Sequence, residues 1–223
     1  MRKIILLLVI SAFIFTACGK KSETKKEDKT SAQQEEKTAL QQKKDDSLNA
    51  IKEQADREKK VKEALDEDKI LKDTLGQWVV SAEASSTYGN HEGKDSWTPA
   101  QMVGAPDVEK YGDDGRAWTS LEAEKGVEWV ELNYGKAVNA TEIRIRQTFN
   151  PGAIIKIELI DEKGKSHTVW EGIDKTKYEP EKIQYFITKF EKTDYKTKKI
   201  KITLANNLIP GWKEIDAVQL VGN

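Results

Sequence analysis

The strongest constraint on the fold is where aromatic residues are missing. Residues 19–76 hold no Phe, Trp or Tyr, and 30 of those 58 positions are charged, 15 basic and 15 acidic. A segment this polar has too little apolar surface to offset the entropy of ordering a compact chain. All six Trp, all six Tyr and all five Pro stand at or after Trp78. The 223 residues therefore divide into a polar stalk and one globular domain, 77–223. A fold of that length buries roughly two thirds of its unfolded surface and stands alone. The formal net charge of −1 lacks the basic excess of a nucleic-acid-binding face, so nucleic acid is not an expected partner.

The single cysteine, Cys18, excludes disulfides within the chain and a zinc site built on several thiolates. It follows Arg2 and Lys3 and the apolar run from Ile4 to Phe15. That run is shorter than the ~20 residues a bilayer span needs. A charged start, an apolar middle and small residues before a cleavage point make residues 1–17 an export signal. The end of the signal, Phe15-Thr16-Ala17-Cys18, resembles a bacterial lipobox. That resemblance implies a lipidated Cys18 as the first residue of the mature protein. Two or more acyl chains, at ~0.8 kcal/mol per buried methylene, would hold it on a membrane of the cell envelope. The outer membrane or the cell surface is the expected place.

Residues 18–34 are polar enough to form a disordered linker. From 35 to 76 the composition shifts to Glu, Lys, Gln, Ala and Leu, which predicts a charged helical stalk. Glu58 with Lys62, and Asp68 with Lys72, are acid-to-base pairs at i,i+4. Ile51, Ala55, Val61, Leu65 and Leu75 form a thin apolar stripe without a sustained heptad. A solvated spacer and a self-associating rod both remain open. Gly76 marks the stalk's end.

Beyond Trp78 the period changes to two. Ile143 to Arg146, Ile155 to Leu159, Ile200 to Leu204 and Asp216 to Leu220 alternate apolar and polar residues, with further strands at Val130 to Leu132 and His167 to Trp170. Asp161-Glu162-Lys163-Gly164 predicts a hairpin turn with Gly164 at positive φ. Thr98 to Met102 is the one helical pocket, with Pro99 at its first position. About eight strands without βαβ alternation make an all-β sandwich, and Trp118, Trp129 and Trp170 on its strands are expected in the core.

The order of motifs adds a resemblance. Ala84-Ser85-Ser86, Trp97 to Asp107, Gly112-Asp113-Asp114-Gly115, Ala117 to Ser120, Glu128 to Leu132, Thr148-Phe149-Asn150-Pro151-Gly152-Ala153 and Pro210 to Val218 follow one another. This resembles the galactose-binding-like, discoidin or coagulation-factor C-type superfamily, in a bacterial branch marked by TFNPGA and PGWxEIDAV. The resemblance covers 77–223. It implies a jelly-roll β-sandwich that binds glycans, phospholipid head groups or proteins through loops at one end, often beside a structural Ca2+. Its metal ligands map onto Asp107 or Asp114, Ser120 and Glu214. Calcium takes six to eight oxygens, whereas Asp-Gly pairs are also ordinary turn formers. A sugar site needs an aromatic platform with hydrogen bonders. Tyr88, His91 and Tyr111 in the long loops are the expected contacts. Trp97 and Trp212 are either part of that platform or loop anchors.

Only His91 and His167 are present, without HExxH, and the chain lacks G-x-S-x-G, a P-loop and a dinucleotide fingerprint. No enzyme is expected. The sequence thus predicts a lipid-anchored envelope protein whose non-catalytic module binds a glycan or a glycosylated surface ligand. The alternative is an interaction lipoprotein whose sandwich docks on another envelope protein.

Overall fold

The computed structural model describes residues 27–89 and 96–223, so Cys18, the export signal and His91 lie outside the described residues. Two compact units divide the chain, Met1–Ala64 and Leu65–Asn223. In the first, the described residues form one helix, part of α1 (Glu27–Leu71). It begins inside the stretch expected to be disordered. From Gln34 to Ala64 every described position is exposed, the apolar Leu40, Leu48, Ile51 and Val61 included. Local pairs support it, among them Gln54 Nε2 donating to Glu58 Oε1 at 2.9 Å, the partner Glu58 takes in place of Lys62. The predicted Asp68–Lys72 pair forms at 2.8 Å.

The second unit is an antiparallel jelly-roll β-sandwich. Its strands are β1 (Gly76–Ala84), β2 (Val127–Val138), β3 (Ala140–Phe149), β4 (Ile154–Asp161), β5 (Ser166–Glu171), β6 (Gln184–Lys189), β7 (Thr197–Ala205) and β8 (Glu214–Gly222). Hydrogen bonding runs β5-β4-β7-β2-β1-β8-β3-β6. Strand β1 belongs to both layers: Gly76–Trp78 pair with β8, and Val79–Ala84 pair with β2 across an irregularity between Val79 and Ser81. That bend leads the chain from one layer into the other. Ile143 and Ile145 of β3, Val218 and Leu220 of β8, Val130 and Leu132 of β2, Ile200, Ile202 and Leu204 of β7, and Ile157 and Leu159 of β4 fill the space between. The hairpin forms at Gly164 with φ 81°, and Pro99–Met102 form a single 3-10 turn.

The boundary at residue 77 is moved by the outer face of the β3–β8 layer. Arg144 bonds Glu142 Oε1 at 2.7 Å and pairs with Asp73 at 2.8 Å, and Arg146 donates to Val108 O and meets Asp216 and Glu67. Gln219 Nε2 donates to the carbonyl of Ile70 at 3.0 Å. The helix end at 67–71 and the turn after it, whose charges suggest a solvated stripe, thus pack on the sandwich as part of its second cover. Every position of β8 is buried as a result.

Candidate ligand-binding cleft

Three loops meet at one end of the sandwich: 85–89 after β1, 96–120 before β2, and 209–213 before β8. Trp97 occupies the left-handed region, φ 61°, where a large side chain is strained. Its neighbours hold it there. Its N–H donates to Gly115 O at 2.9 Å, its carbonyl accepts from Thr87 Oγ1 at 2.7 Å, and its indole Nε1 donates to Asp113 Oδ1 at 2.9 Å. The Tyr88 ring stands edge-on to Trp97 (5.5 Å, 84°) and to Trp212 (5.5 Å, 73°), an arrangement the ring quadrupoles favour. Tyr88 is 51% exposed and Trp212 39%.

Trp212 is positioned by the two late sequence motifs acting on each other. Asn150 Nδ2, from TFNPGA, donates to the Trp212 carbonyl at 2.8 Å. The preceding Gly211 has φ 77°, and a Cβ there would stand 2.8 Å from that same amide nitrogen. Only glycine lets the loop come this close. Tyr111, expected as a ligand contact, takes part in this lock: half-buried beside Phe149 (5.5 Å), its hydroxyl bonds both Asn150 Oδ1 and the Asn150 N–H.

Tyr88, Trp97, Asp113, Thr119, Phe149, Trp212 and Glu214 line a cavity of about 90 Å³. Glu214 is 1% exposed; its Oε2 accepts the Asp114 N–H at 3.2 Å, and its Oε1 has no donor. Burial, reinforced by the Asp113 carboxylate beside it, pushes its carboxyl up to about 8, against the lowering effect of the Asp114 amide. Asp113, Thr119 and Phe149 are the cleft residues that sequence reasoning missed. Asp113 sits in a Gly-Asp-Asp-Gly run indistinguishable from a plain turn, and Phe149 closes a strand.

Of the residues mapped as calcium ligands, Asp114 and Glu214 meet through the Asp114 N–H, Asp107 joins Asp114 through Arg116, and Ser120 is bonded elsewhere. Both Asp114 carboxylate oxygens are taken by the Arg116 guanidinium, at 3.0 and 2.7 Å, which holds that carboxyl below its usual range. Arg116 Nη1 also donates to the Asp107 carbonyl at 2.6 Å. Ser120 Oγ donates to Glu122 O at 2.9 Å and accepts from Asn206 Nδ2 at 2.6 Å. Beside it the Lys213 ammonium, 3% exposed, donates to the carbonyls of Ala123 (2.7 Å), Gly211 (2.6 Å) and Asn206. Two side-chain cations already occupy the oxygen-rich corners, and among the described residues no cluster of three or more His, Cys, Asp or Glu could hold a metal ion. With those corners held by Arg116 and Lys213, a chelator is expected to leave the unfolding temperature of the protein as purified within about 1 °C, and added calcium is expected not to raise it. A chelator-dependent fall of several degrees, as ligand linkage requires of a bound metal, would contradict this arrangement.

The family model described as pappalysin-1, SD scarf domain, C-terminal, matches residues 67–223, the span that includes the helix end packed on the sandwich. The chain belongs to that family. No curated protein matches it. Among solved structures, the scarf domain is similar to chitosan-binding module 1 of a chitosanase/glucanase from Paenibacillus sp. IK-5, at TM-score 0.46 and 15% identity over 65% of this chain and 96% of the module. The family 32 carbohydrate-binding module of C. perfringens NanJ, solved with galactose, gives TM-score 0.44 and 21% identity over 65% and 98% of the two chains. Allantoicase from Saccharomyces cerevisiae gives 0.44 and 13% over 67% and 44%.

Proposed function

We propose that the chain is an exported protein, lipid-anchored through Cys18 in a bacterial envelope, whose scarf domain binds a glycan without acting on it. The observation that carries this reading is the cleft itself. Two exposed aromatic rings, Tyr88 and Trp212, flank hydrogen-bonding side chains in a concavity that the loop network holds in shape before any ligand arrives. Sugars present apolar C–H faces to such rings and hydroxyls to such acceptors. The carboxyl pair does not argue for hydrolysis. Asp113 and Glu214 lie within hydrogen-bonding reach of each other. Glycosidases hold their two carboxyls about 5 Å apart or more, on either side of the scissile bond.

The test is a glycan array followed by calorimetry on the full chain in detergent. Tyr88→Ala and Trp212→Ala should each weaken the best array ligand at least about tenfold, near 1.4 kcal/mol, with unfolding temperatures close to wild type. Tyr111→Phe should stay within about twofold. A folded protein that binds nothing on the array would sink the reading and favour docking on a protein of the envelope.

A further inference from the structure

The charge inventory of the cleft is one-sided. Two carboxyl groups, Asp113 and Glu214, face it together with the rings of Tyr88, Trp97, Phe149 and Trp212, and none of the described residues lining it is cationic. The nearest positive side chains are committed elsewhere, Arg116 to Asp114 and the Asp107 carbonyl, Lys213 to three main-chain carbonyls. Glu214 Oε1 is buried with no protein donor, and the Glu214 carboxyl meets the Asp113 carboxyl only by sharing a proton, an arrangement that a further donor would relieve. Asp113 accepts from the Trp97 indole and shares a hydrogen bond with the Glu214 carboxyl, and a carboxylate can accept several. What the cleft lacks is a compact group with more than one hydrogen to donate and a positive charge.

We infer that the group this cleft selects is a protonated primary amine carried by a sugar, so that its preferred ligand is a glycan containing deacetylated hexosamine. This rests on the glycan-binding reading and narrows it. An ammonium has three donors and can serve Glu214 Oε1 and Asp113 at once. A hydroxyl has one and leaves the other acceptor unmet. An N-acetyl group also has one donor, and it brings an acetyl into a cavity of about 90 Å³. The aromatic walls add attraction, since the negative ring face draws a desolvated cation.

Calorimetry of the full chain in detergent with three hexamers, of glucosamine, of N-acetylglucosamine and of glucose, tests the inference. The glucosamine hexamer should bind at least tenfold tighter than either of the others. Asp113→Asn and Glu214→Gln, both near-isosteric, should each cut that preference to threefold or less. Trp212→Ala should abolish binding of the glucosamine hexamer. Equal binding of all three, or a preference that survives Asp113→Asn, overturns the inference and leaves glycan binding standing. Glucosamine-hexamer binding that survives Trp212→Ala is a polycation on an acidic surface, and it overturns the inference too. If none of the three binds, while the array shows another sugar that does, the inference alone falls. A blank on both removes the glycan reading itself.

Discussion

Replacing Lys213 by Met is expected to cost the scarf domain about 3–5 kcal/mol of stability, because three carbonyls, one buried and two half-buried, lose their donor at once. The ammonium donates to Ala123 O in the loop before β2 and to Asn206 O and Gly211 O in the connection from β7 to β8. Three donated bonds need three hydrogens, so the group is held there charged. Burial works against that charge and lowers its pKa, with Glu124 as the opposing influence. Removing the amine relieves that desolvation, which is why the expected loss is smaller than three full unpaired acceptors would give. Met fills most of the same volume, so the change reports the polar contacts. At roughly 2–4 °C per kcal/mol for a domain of this size, the unfolding temperature should fall by about 6–20 °C. A fall below about 2 °C would show that water or loop movement replaces the ammonium easily. Because Gly211 is one of its partners, Trp212 should loosen with it, and sugar affinity should drop alongside stability.

The strands that were legible are those with a core on one side and water or a charged cover on the other. Ile143 to Arg146 alternates because the isoleucines point inward while Arg144 and Arg146 reach the carboxylates of Asp73, Glu67 and Asp216. Strand β1 escaped because its irregularity between Val79 and Ser81 shifts the period midway, and Val80 is left exposed. Strand β6 has six residues and a single neighbour, β3, so little of it had to be apolar. Trp129 shows the limit of a residue-type argument. Val130 and Leu132 turn into the core, and the pleat then sends Trp129 outward, where the Lys201 ammonium lies 4.5 Å from its ring centroid. Trp118 does lie in the core as expected, 1% exposed, and Trp170 is partly buried against it.

The cleft was half legible for a similar reason. Tyr88, Trp97 and Trp212 could be picked out because an aromatic in a polar, Gly-rich loop is unusual. Asp113 could not, because its role depends on the Trp97 indole and on Glu214, brought beside it from the other end of the domain. What the metal expectation did not include is the cations beside those carboxylates. Arg116 and Lys213 are two of 37 basic residues, and nothing local distinguishes a lysine that will bind three carbonyls from one that will sit in water. Distant partners decide which charges are structural, and a single sequence does not pair them.

Glu214 should make the domain lose stability as pH rises toward 8. Its carboxyl has a folded pKa of about 8, against an ordinary value of 4.5. Below about 4.5 the acid carries its proton in both states, and its contribution is fully present. Between 4.5 and 8 the unfolded chain releases that proton while the folded chain keeps it, so each step up in pH favours unfolding. Above 8 both states are ionised and the loss is complete. Its size is on the order of 5 kcal/mol across the window, at about 1.4 kcal/mol per pH unit. Asp216 is also raised, through burial opposed by Arg146, so the wild-type slope is not Glu214's alone. Glu214→Gln isolates it. The amide copies the protonated acid: its oxygen can still accept the Asp114 N–H, and its NH2 can donate to Asp113. Urea unfolding at pH 5 and pH 8 should give near-equal stability for the two proteins at pH 5 and a clear advantage for Glu214→Gln at pH 8. Parallel pH profiles would mean that Glu214 ionises normally in the folded state, and the cleft would then hold two full negative charges side by side. An amine-bearing ligand meets the same pair, and its binding at neutral pH should release up to one proton from Glu214, which calorimetry in buffers of different ionisation enthalpy reads directly.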